Sequence, residues 1–229
     1  MPLQREAEVR VDDQDFLAPR KCMREPIPEI LWAAEMLNRA VDAHLAGDRA
    51  TASDLIAQTN LPAIRAWTES LWGSKRNNPD QQQYVRLRDI PGHPKPLDKK
   101  DRVPARMPTA AEKKELLDHY GWNCAFCGIP VIRKEVRQAI RAAYPDALSW
   151  GGTNQSQHAA FQCMWVQYDH LLPHCYGGTN SIDNMAITCA PCNYGRLDST
   201  LAQVGLIDPR TRPVQKASWD GLERFLAHR

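Results

Sequence analysis

The 229-residue sequence has no long apolar run, no signal peptide and no strong excess of charge of either sign, since its formal net charge is +2. The first two absences argue against a membrane span and against secretion. The third means that overall charge alone does not identify a nucleic-acid-binding protein. We therefore expect a cytoplasmic protein of one large domain or two small ones, whose function has to be inferred from local motifs.

Four of the seven cysteines are arranged as two short pairs. Cys124 and Cys127 form one C-x2-C unit, and Cys189 and Cys192 form a second. Two such pairs supply four thiolates, which is a ligand set that closes a tetrahedral zinc site. A site of this kind holds the fold together and does no chemistry, so we predict a structural zinc ion. The remaining cysteines lack partner spacing and are predicted to be ordinary thiols: Cys22, Cys163 and Cys175.

The second cysteine pair overlaps a denser motif that spans residues 168–196. This motif begins with Asp169 and His170, continues through a Pro and a Gly-Gly turn, and then contains Asn184 and Asn193. Together with the cysteine pairs, this order of residues resembles the HNH nuclease family. The resemblance implies a ββα-metal fold that hydrolyses nucleic-acid phosphodiester bonds.

Hydrolysis of a phosphodiester needs a base that activates water and a divalent metal that neutralises charge on the leaving oxygen. Asp169 and His170 are adjacent in a predicted strand over 165–172, so their side chains point to opposite faces and cannot share one role. The resemblance implies that His170 is the general base and that Asn184 orients the loop and the imidazole. It also implies that Asp169 and Asn193 bind the catalytic metal.

Asn193 stands where many members of the family carry a final His, although Asn is also found there in active members. Carboxylate and amide ligands favour Mg²⁺ or Mn²⁺ over Zn²⁺ at this site. Two further residues are candidates for phosphate contacts. Arg196 offers a planar fork in the helix that closes the motif. His174 is either a second phosphate contact or an exposed loop histidine.

The expected fold class is α+β, with a helical N-terminal region over 1–73, a basic linker over 74–108 and the HNH-like domain over 109–229. The domain contains an insertion over 128–168, which separates the cysteine pairs. Apolar periodicity and end signals predict helices over 28–46, 53–59, 132–144, 154–164 and 219–227. A third N-terminal helix should begin at Asn60 as N-cap with Pro62 in the first turn, and a Thr109–Glu112 capping box should open a helix that ends at Gly121.

Basic residues concentrate in two segments outside the motif. Between residues 73 and 107 there are nine basic residues against four acidic ones, in a stretch interrupted by Pro. This stretch is either a solvated connector or a segment that tracks phosphate, in which case the contact residues are Lys99, Lys100, Arg102 and Arg106. The insertion helix has a basic face that is either solvated or in contact with DNA: Arg133, Lys134, Arg137 and Arg141.

The sequence therefore predicts a metal-dependent endonuclease acting on DNA, with a structural Zn²⁺ and a catalytic Mg²⁺ or Mn²⁺. One such site cuts one strand, so a monomer should nick. Two alternatives stay open: a zinc-stabilised nucleic-acid-binding module without catalysis, and an RNase, since nothing in the motif reads the sugar. The resemblance favours a restriction or phage-defence effector, and the N-terminal helices should dock a protein partner or cover the nuclease.

Overall fold

The computed structural model describes residues 18–72, 83–214 and 216–227. In these ranges the architecture is mixed α and β, with eight α-helices and one two-stranded antiparallel sheet. None of the helices described is both long enough and apolar enough to cross a lipid bilayer. The start of the predicted N-terminal region and the first part of the basic linker, residues 73–82, lie outside the described residues.

Three helices form the N-terminal part: α1 (Pro28–Leu45), α2 (Arg49–Gln58) and α3 (Pro62–Leu71). The apolar stripe of α1 is buried, and Gly47 ends the helix in a left-handed conformation with φ of 85°. Helix α2 begins earlier than predicted because the Asp48 side chain caps it, accepting from the Thr51 N–H at 3.0 Å. The prediction of Asn60 as an N-cap is wrong, since Leu61 occupies that position without a side-chain cap.

The C-terminal part begins with α4 (Ala110–Tyr120), which leads into the first cysteine pair. Its capping box is confirmed: the Glu112 N–H donates to Thr109 Oγ1 at 3.3 Å, and the Thr109 N–H donates to Glu112 Oε2 at 2.6 Å. The insertion forms α5 (Lys134–Ala143), a 3-10 turn (Asn154–Ser156) and α6 (Ala159–Cys163). The chain then forms β1 (Val166–His170), β2 (Met185–Cys189), α7 (Ala190–Arg196) and α8 (Leu201–Val204).

The insertion packs on the N-terminal helices and is fixed to them by polar contacts. Arg65 in α3 donates to the backbone carbonyls of Asn154 at 2.7 Å and Gln157 at 2.8 Å. The Asn60 side chain accepts from the Ala159 N–H at 2.8 Å instead of capping its own helix. These contacts explain how a long insertion between two metal-binding pairs is accommodated, since its middle is anchored rather than left to close a free loop.

The predicted C-terminal helix over 219–227 is wrong. The structure has a 3-10 turn there, Glu223–Phe225, preceded by Gly221 and Leu222 with φ of 69° and 62°. A left-handed residue interrupts an α-helix, and the Asp220 side chain stabilises the turn by accepting from the Leu222 N–H at 2.9 Å. The apolar residues of the segment are still used, because Leu222 and Phe225 are buried.

Candidate metal centres and active site

The hairpin of β1 and β2 and the helix that follows it place the motif residues together. The strands pair antiparallel with Asp169 opposite Ala186 and His170 opposite Met185. Helix α7 begins at once after β2, with Cys189 as its N-cap residue. The second cysteine pair and Asn193 are thereby brought to the start of one helix that packs against both strands.

The four paired cysteines form one cluster. Their Sγ atoms all lie within 4.8 Å of one another, and Cys127 Sγ lies 3.7 Å from Cys189 Sγ. A disulfide would require about 2.05 Å. The edge of a tetrahedron with metal–sulfur bonds of about 2.3 Å is about 3.8 Å. The observed separation matches a tetrahedral metal site and excludes a disulfide.

The backbone around the first cysteine pair, Cys124 and Cys127, forms a closed loop that is tied to the sheet. The Gly128 N–H donates to the Cys124 carbonyl at 2.9 Å, and Gly128 adopts a left-handed φ of 78°, which closes the loop on the thiols. The Ala125 N–H donates to the Ile187 carbonyl at 2.8 Å, which ties the loop to β2. The first pair is therefore positioned by the same sheet that carries the second.

The four thiols perturb one another's ionisation: the pKa values of Cys127 and Cys192 are raised, whereas that of Cys124 is lowered. Burial raises the pKa of Cys189 to about 12. Burial also opposes ionisation of Cys124, but hydrogen bonds from the other three thiols outweigh it and lower the pKa of that residue. Four thiolates this close together need a positive charge between them. The cluster can therefore hold a metal ion such as zinc.

The imidazole of His170 is held by Asn180, in the loop between the two strands. His170 Nε2 lies 2.9 Å from Asn180 Oδ1, and Asn180 Nδ2 donates to the Ala105 carbonyl at 3.1 Å. A carbonyl only accepts, so the amide nitrogen of Asn180 must face Ala105 and its oxygen must face the ring. Nε2 therefore carries the proton, and Nδ1 keeps its lone pair in the neutral ring.

Burial favours the neutral form of this histidine. Removal from water lowers the pKa of His170, against the opposing effects of its hydrogen bond to Asn180 and the charge of Asp169. The residue as a whole is 9% exposed. A neutral ring with a free Nδ1 has the state that a general base needs.

Asn184 fixes the loop but does not touch the imidazole, so half of its predicted role is wrong. Its Oδ1 accepts from the Leu172 N–H at 2.8 Å, and its Nδ2 donates to the carbonyls of Leu172 at 3.2 Å and Thr179 at 2.9 Å. The side-chain amide of Asn184 is therefore fully engaged in hydrogen bonds to the backbone. A Cβ at Gly178 would collide with the Leu172 carbonyl, which explains the glycine in this turn.

The second half of the basic linker lies along this loop, and we call residues 97–106 the strap. The Leu97 N–H donates to the Cys175 carbonyl at 2.8 Å, and His174 Nε2 lies 2.7 Å from the Val103 carbonyl. His174 is thus a half-buried contact of the strap, with its ring centroid 5.9 Å from that of His170. Sequence reasoning missed Asn180 and the packing of the strap on this loop, because neither contact has a local signal.

The predicted phosphate clamp, Arg196, instead forms a buried ion pair with Asp169. Its Nε donates to Asp169 Oδ2 at 3.1 Å, and its Nη2 donates to Asp169 Oδ1 and to the His170 carbonyl. Its Nη1 donates to the Ser199 carbonyl at 2.6 Å, and the side chain is 0% exposed. Burial raises the pKa of Asp169, and the charge of Arg196 opposes that shift. A phosphate has no access to this guanidinium.

The residues proposed to hold the catalytic metal retain free donor capacity. Each Asp169 oxygen accepts one hydrogen bond from Arg196, which leaves a further lone pair on each. Asn193 is half-buried on α7, and its side chain makes no hydrogen bond within the described part of the chain. The paired carboxylate of Asp169 and the uncommitted amide of Asn193 therefore lie on two elements, β1 and α7, that pack against each other.

The basic residues of the strap are accessible. Lys99, Lys100 and Arg106 are exposed, and Arg102 donates from Nε to the Leu97 carbonyl at 3.0 Å. None of the four forms an ion pair with a described residue. Their charges are therefore available to a polyanion beside the loop that holds His170.

The basic face of the insertion helix is not uniformly solvated. Arg137 is buried, with its Cζ 3.5 Å from the centroid of the Trp150 ring and 4.9 Å from that of Trp165. Arg133 is paired with Glu223. The other two members of the predicted face are exposed: Lys134 and Arg141.

No known family model matches this chain, and no curated protein and no solved structure matches it. Its class has to be argued from the residues and contacts above.

Proposed function

We propose that this protein is a metal-dependent endonuclease of the HNH type that hydrolyses phosphodiester bonds in DNA. The observation that carries the proposal is the state of His170: a neutral imidazole at the end of β1, with Nε2 held by Asn180 and Nδ1 free. Beside it, β1 and α7 carry the carboxylate of Asp169 and the amide of Asn193.

The chain's own groups perform the proton transfer. His170 Nδ1 takes a proton from water as the water oxygen attacks phosphorus, and the bond from phosphorus to the 3′ oxygen breaks, with the leaving oxygen taking a proton from solvent. Asn180 keeps the ring from rotating by accepting from Nε2–H. Arg196 holds Asp169 in one orientation through its two hydrogen bonds. A divalent ion held by Asp169 and Asn193 would supply charge neutralisation at the scissile phosphate.

The test is an assay of the purified protein on supercoiled plasmid with Mg²⁺, with Mn²⁺ or with excess chelator. We expect conversion to nicked circles with either metal and none with chelator, because a single site cuts one strand. Parallel reactions on single-stranded RNA test whether the protein accepts ribose as well as deoxyribose in its substrate. Binding of DNA without cleavage under all conditions would contradict the proposal and identify a zinc-stabilised binding module; cleavage of RNA alone would identify an RNase.

Asn180→Ala should lower the cleavage rate by about ten- to a hundredfold, the range observed when the partner that orients a functional histidine is removed. The loss should fall on kcat with KM nearly unchanged, since the side chain of Asn180 is buried and both ends of its amide are bonded to His170 and to the Ala105 carbonyl. Thr179→Ala is the matched control, because this neighbour in the same loop is exposed. An equal effect of both variants, or an effect on KM alone, would argue against a positioning role.

Replacing Lys99, Lys100, Arg102 and Arg106 together with Gln should weaken DNA binding regardless of sequence. Each lost phosphate contact should flatten the slope of log affinity against log salt by up to about 0.9 on duplex DNA. The rate at saturating DNA should stay the same, because none of the four side chains contacts His170 or Asp169 among the described interactions. A quadruple variant with the affinity and salt slope of the wild type would identify the strap as a plain connector.

A further inference from the structure

A groove lies beside Tyr168 of β1 and is separate from the metal-binding and catalytic residues assigned above. It is enclosed by α4, the start of α5 and β1, and has a volume of about 590 Å³. That volume is in the range of pockets that bind small organic groups, about 300–1,000 Å³. The residues that matter for its chemistry are Met107, Lys113, Trp122, Lys134, Trp165 and Tyr168.

The lining combines aromatic rings with positive charge. Trp122, Trp165 and Tyr168 are all half-buried. Four basic and two acidic residues line the groove. Lys113 Nζ lies 5.3 Å from the centroid of the Tyr168 ring, and neither Lys113 nor Lys134 forms an ion pair with a described residue.

Two of the four basic residues of the groove are paired, and the acidic Glu135 beside Lys134 forms no ion pair with a described residue. Arg133 is bound to Glu223, and Lys114 to Asp118, at 2.5 Å in each case. The unpaired cations, Lys113 and Lys134, are therefore the ones with charge to offer a ligand. Half-buried rings flanked by unpaired cations are the combination that binds unpaired bases and their phosphates.

Two structural features place the groove next to His170, the candidate general base. Tyr168 and His170 lie two residues apart on one strand, so their side chains share a face about 6.6 Å apart. Met107, at the other side of the groove, lies two residues after Ala105, whose carbonyl holds Asn180. A nucleotide in the groove would therefore neighbour the phosphate that His170 serves.

We propose that this groove binds an unpaired nucleotide of the substrate strand, so that the protein prefers DNA with a single-stranded or gapped segment over a continuous duplex. The inference rests on the proposed nuclease function for the position of the groove beside the scissile phosphate. The base of this nucleotide stacks on Tyr168, and Lys113 and Lys134 contact the flanking phosphates.

Binding is measured apart from cleavage, by fluorescence anisotropy of labelled DNA with Ca²⁺ in place of Mg²⁺ or Mn²⁺. The probes are a single strand, a blunt duplex of the same length and a duplex with a short gap. We expect the single strand and the gapped duplex to bind at least about fivefold more tightly than the blunt duplex, since stacking of one base corresponds to about 5- to 150-fold in affinity. Equal affinity for all three would overturn the inference.

Two variants test whether the groove causes the preference for unpaired DNA. Tyr168→Leu removes the ring but keeps apolar bulk in the strand, and should abolish the preference for unpaired DNA. Lys113→Gln does not depend on repacking and should weaken binding of the single strand more than Lys21→Gln, which removes the same charge from an exposed position outside the groove. Retention of the preference in both groove variants would contradict the inference.

The two proposals fail in different ways. If the protein nicks plasmid but binds the three probes equally well, the proposed nuclease function is supported and nucleotide binding in the groove is contradicted. If the protein never cleaves but binds unpaired DNA through Tyr168 and Lys113, the groove is supported as a binding site and the nuclease function is contradicted.

Discussion

His170→Ala should reduce cleavage of plasmid to background, a loss of at least about a hundredfold, because the proposed base is removed and the neighbouring imidazole, His174, is held by the strap carbonyl of Val103 instead of by Asn180. The variant also leaves Asn180 without its partner, at a cost of about 1–3 kcal/mol in the free energy of unfolding. His170→Gln avoids that cost, since a side-chain amide can still donate to Asn180 Oδ1. Both variants should be inactive, and the second should melt close to the wild type.

The control for these variants is His119→Gln, because His119 is exposed on α4 and lies outside the motif. Its cleavage rate should equal that of the wild type. Nicking by His170→Gln at the wild-type rate would show that the imidazole is not the base, and the proton acceptor would then have to be sought elsewhere in the protein.

Cys192→Ser should release the metal of the four-cysteine cluster and unfold the C-terminal part of the protein. Binding free energy at such a site is folding free energy, of the order of 10–16 kcal/mol for a structural zinc, whereas a whole domain is stable by only about 5–15 kcal/mol. The measurements are metal content per chain after dialysis and the thermal unfolding transition. Wild-type protein purified without added metal should contain one tightly bound zinc.

Two neighbours provide matched controls for the cluster. Cys175→Ser changes a half-buried thiol outside it and should keep the metal. Asn193→Ala changes the residue next to Cys192, and should keep both the metal and the unfolding transition while losing cleavage. Wild-type protein without bound metal, or a Cys192→Ser variant with the wild-type transition, would contradict the structural role.

The sequence predicted those features that depend on local signals. The capping box of Thr109, the C-x2-C spacing of the cysteines and the apolar strand before His170 are each read within a few residues, and the structure contains all three. The motif over 168–196, which carries the resemblance to a nuclease family, forms the hairpin of β1 and β2 and the helix α7 that follows it.

The features that were missed depend on contacts between distant segments. Nothing local in the sequence distinguishes Asn180 from Asn184, because the choice is made by the Ala105 carbonyl, 75 residues away along the chain. Likewise, Arg196 was predicted to face phosphate, but the Asp169 carboxylate lies within its reach only after α7 packs on β1. In the C-terminal segment, two left-handed residues override a good apolar pattern.

The strap has one further consequence for how this protein tolerates change. The groups by which it holds His174 and Asn180 are the main-chain carbonyls of Val103 and Ala105, which every amino acid supplies. Exchange of side chains at these two positions leaves both acceptors in place, whereas adding or deleting a residue between them and the anchor at Leu97 moves both out of reach. The segment is therefore constrained in length rather than in composition, and a fragment that starts at residue 109 would lack both acceptors.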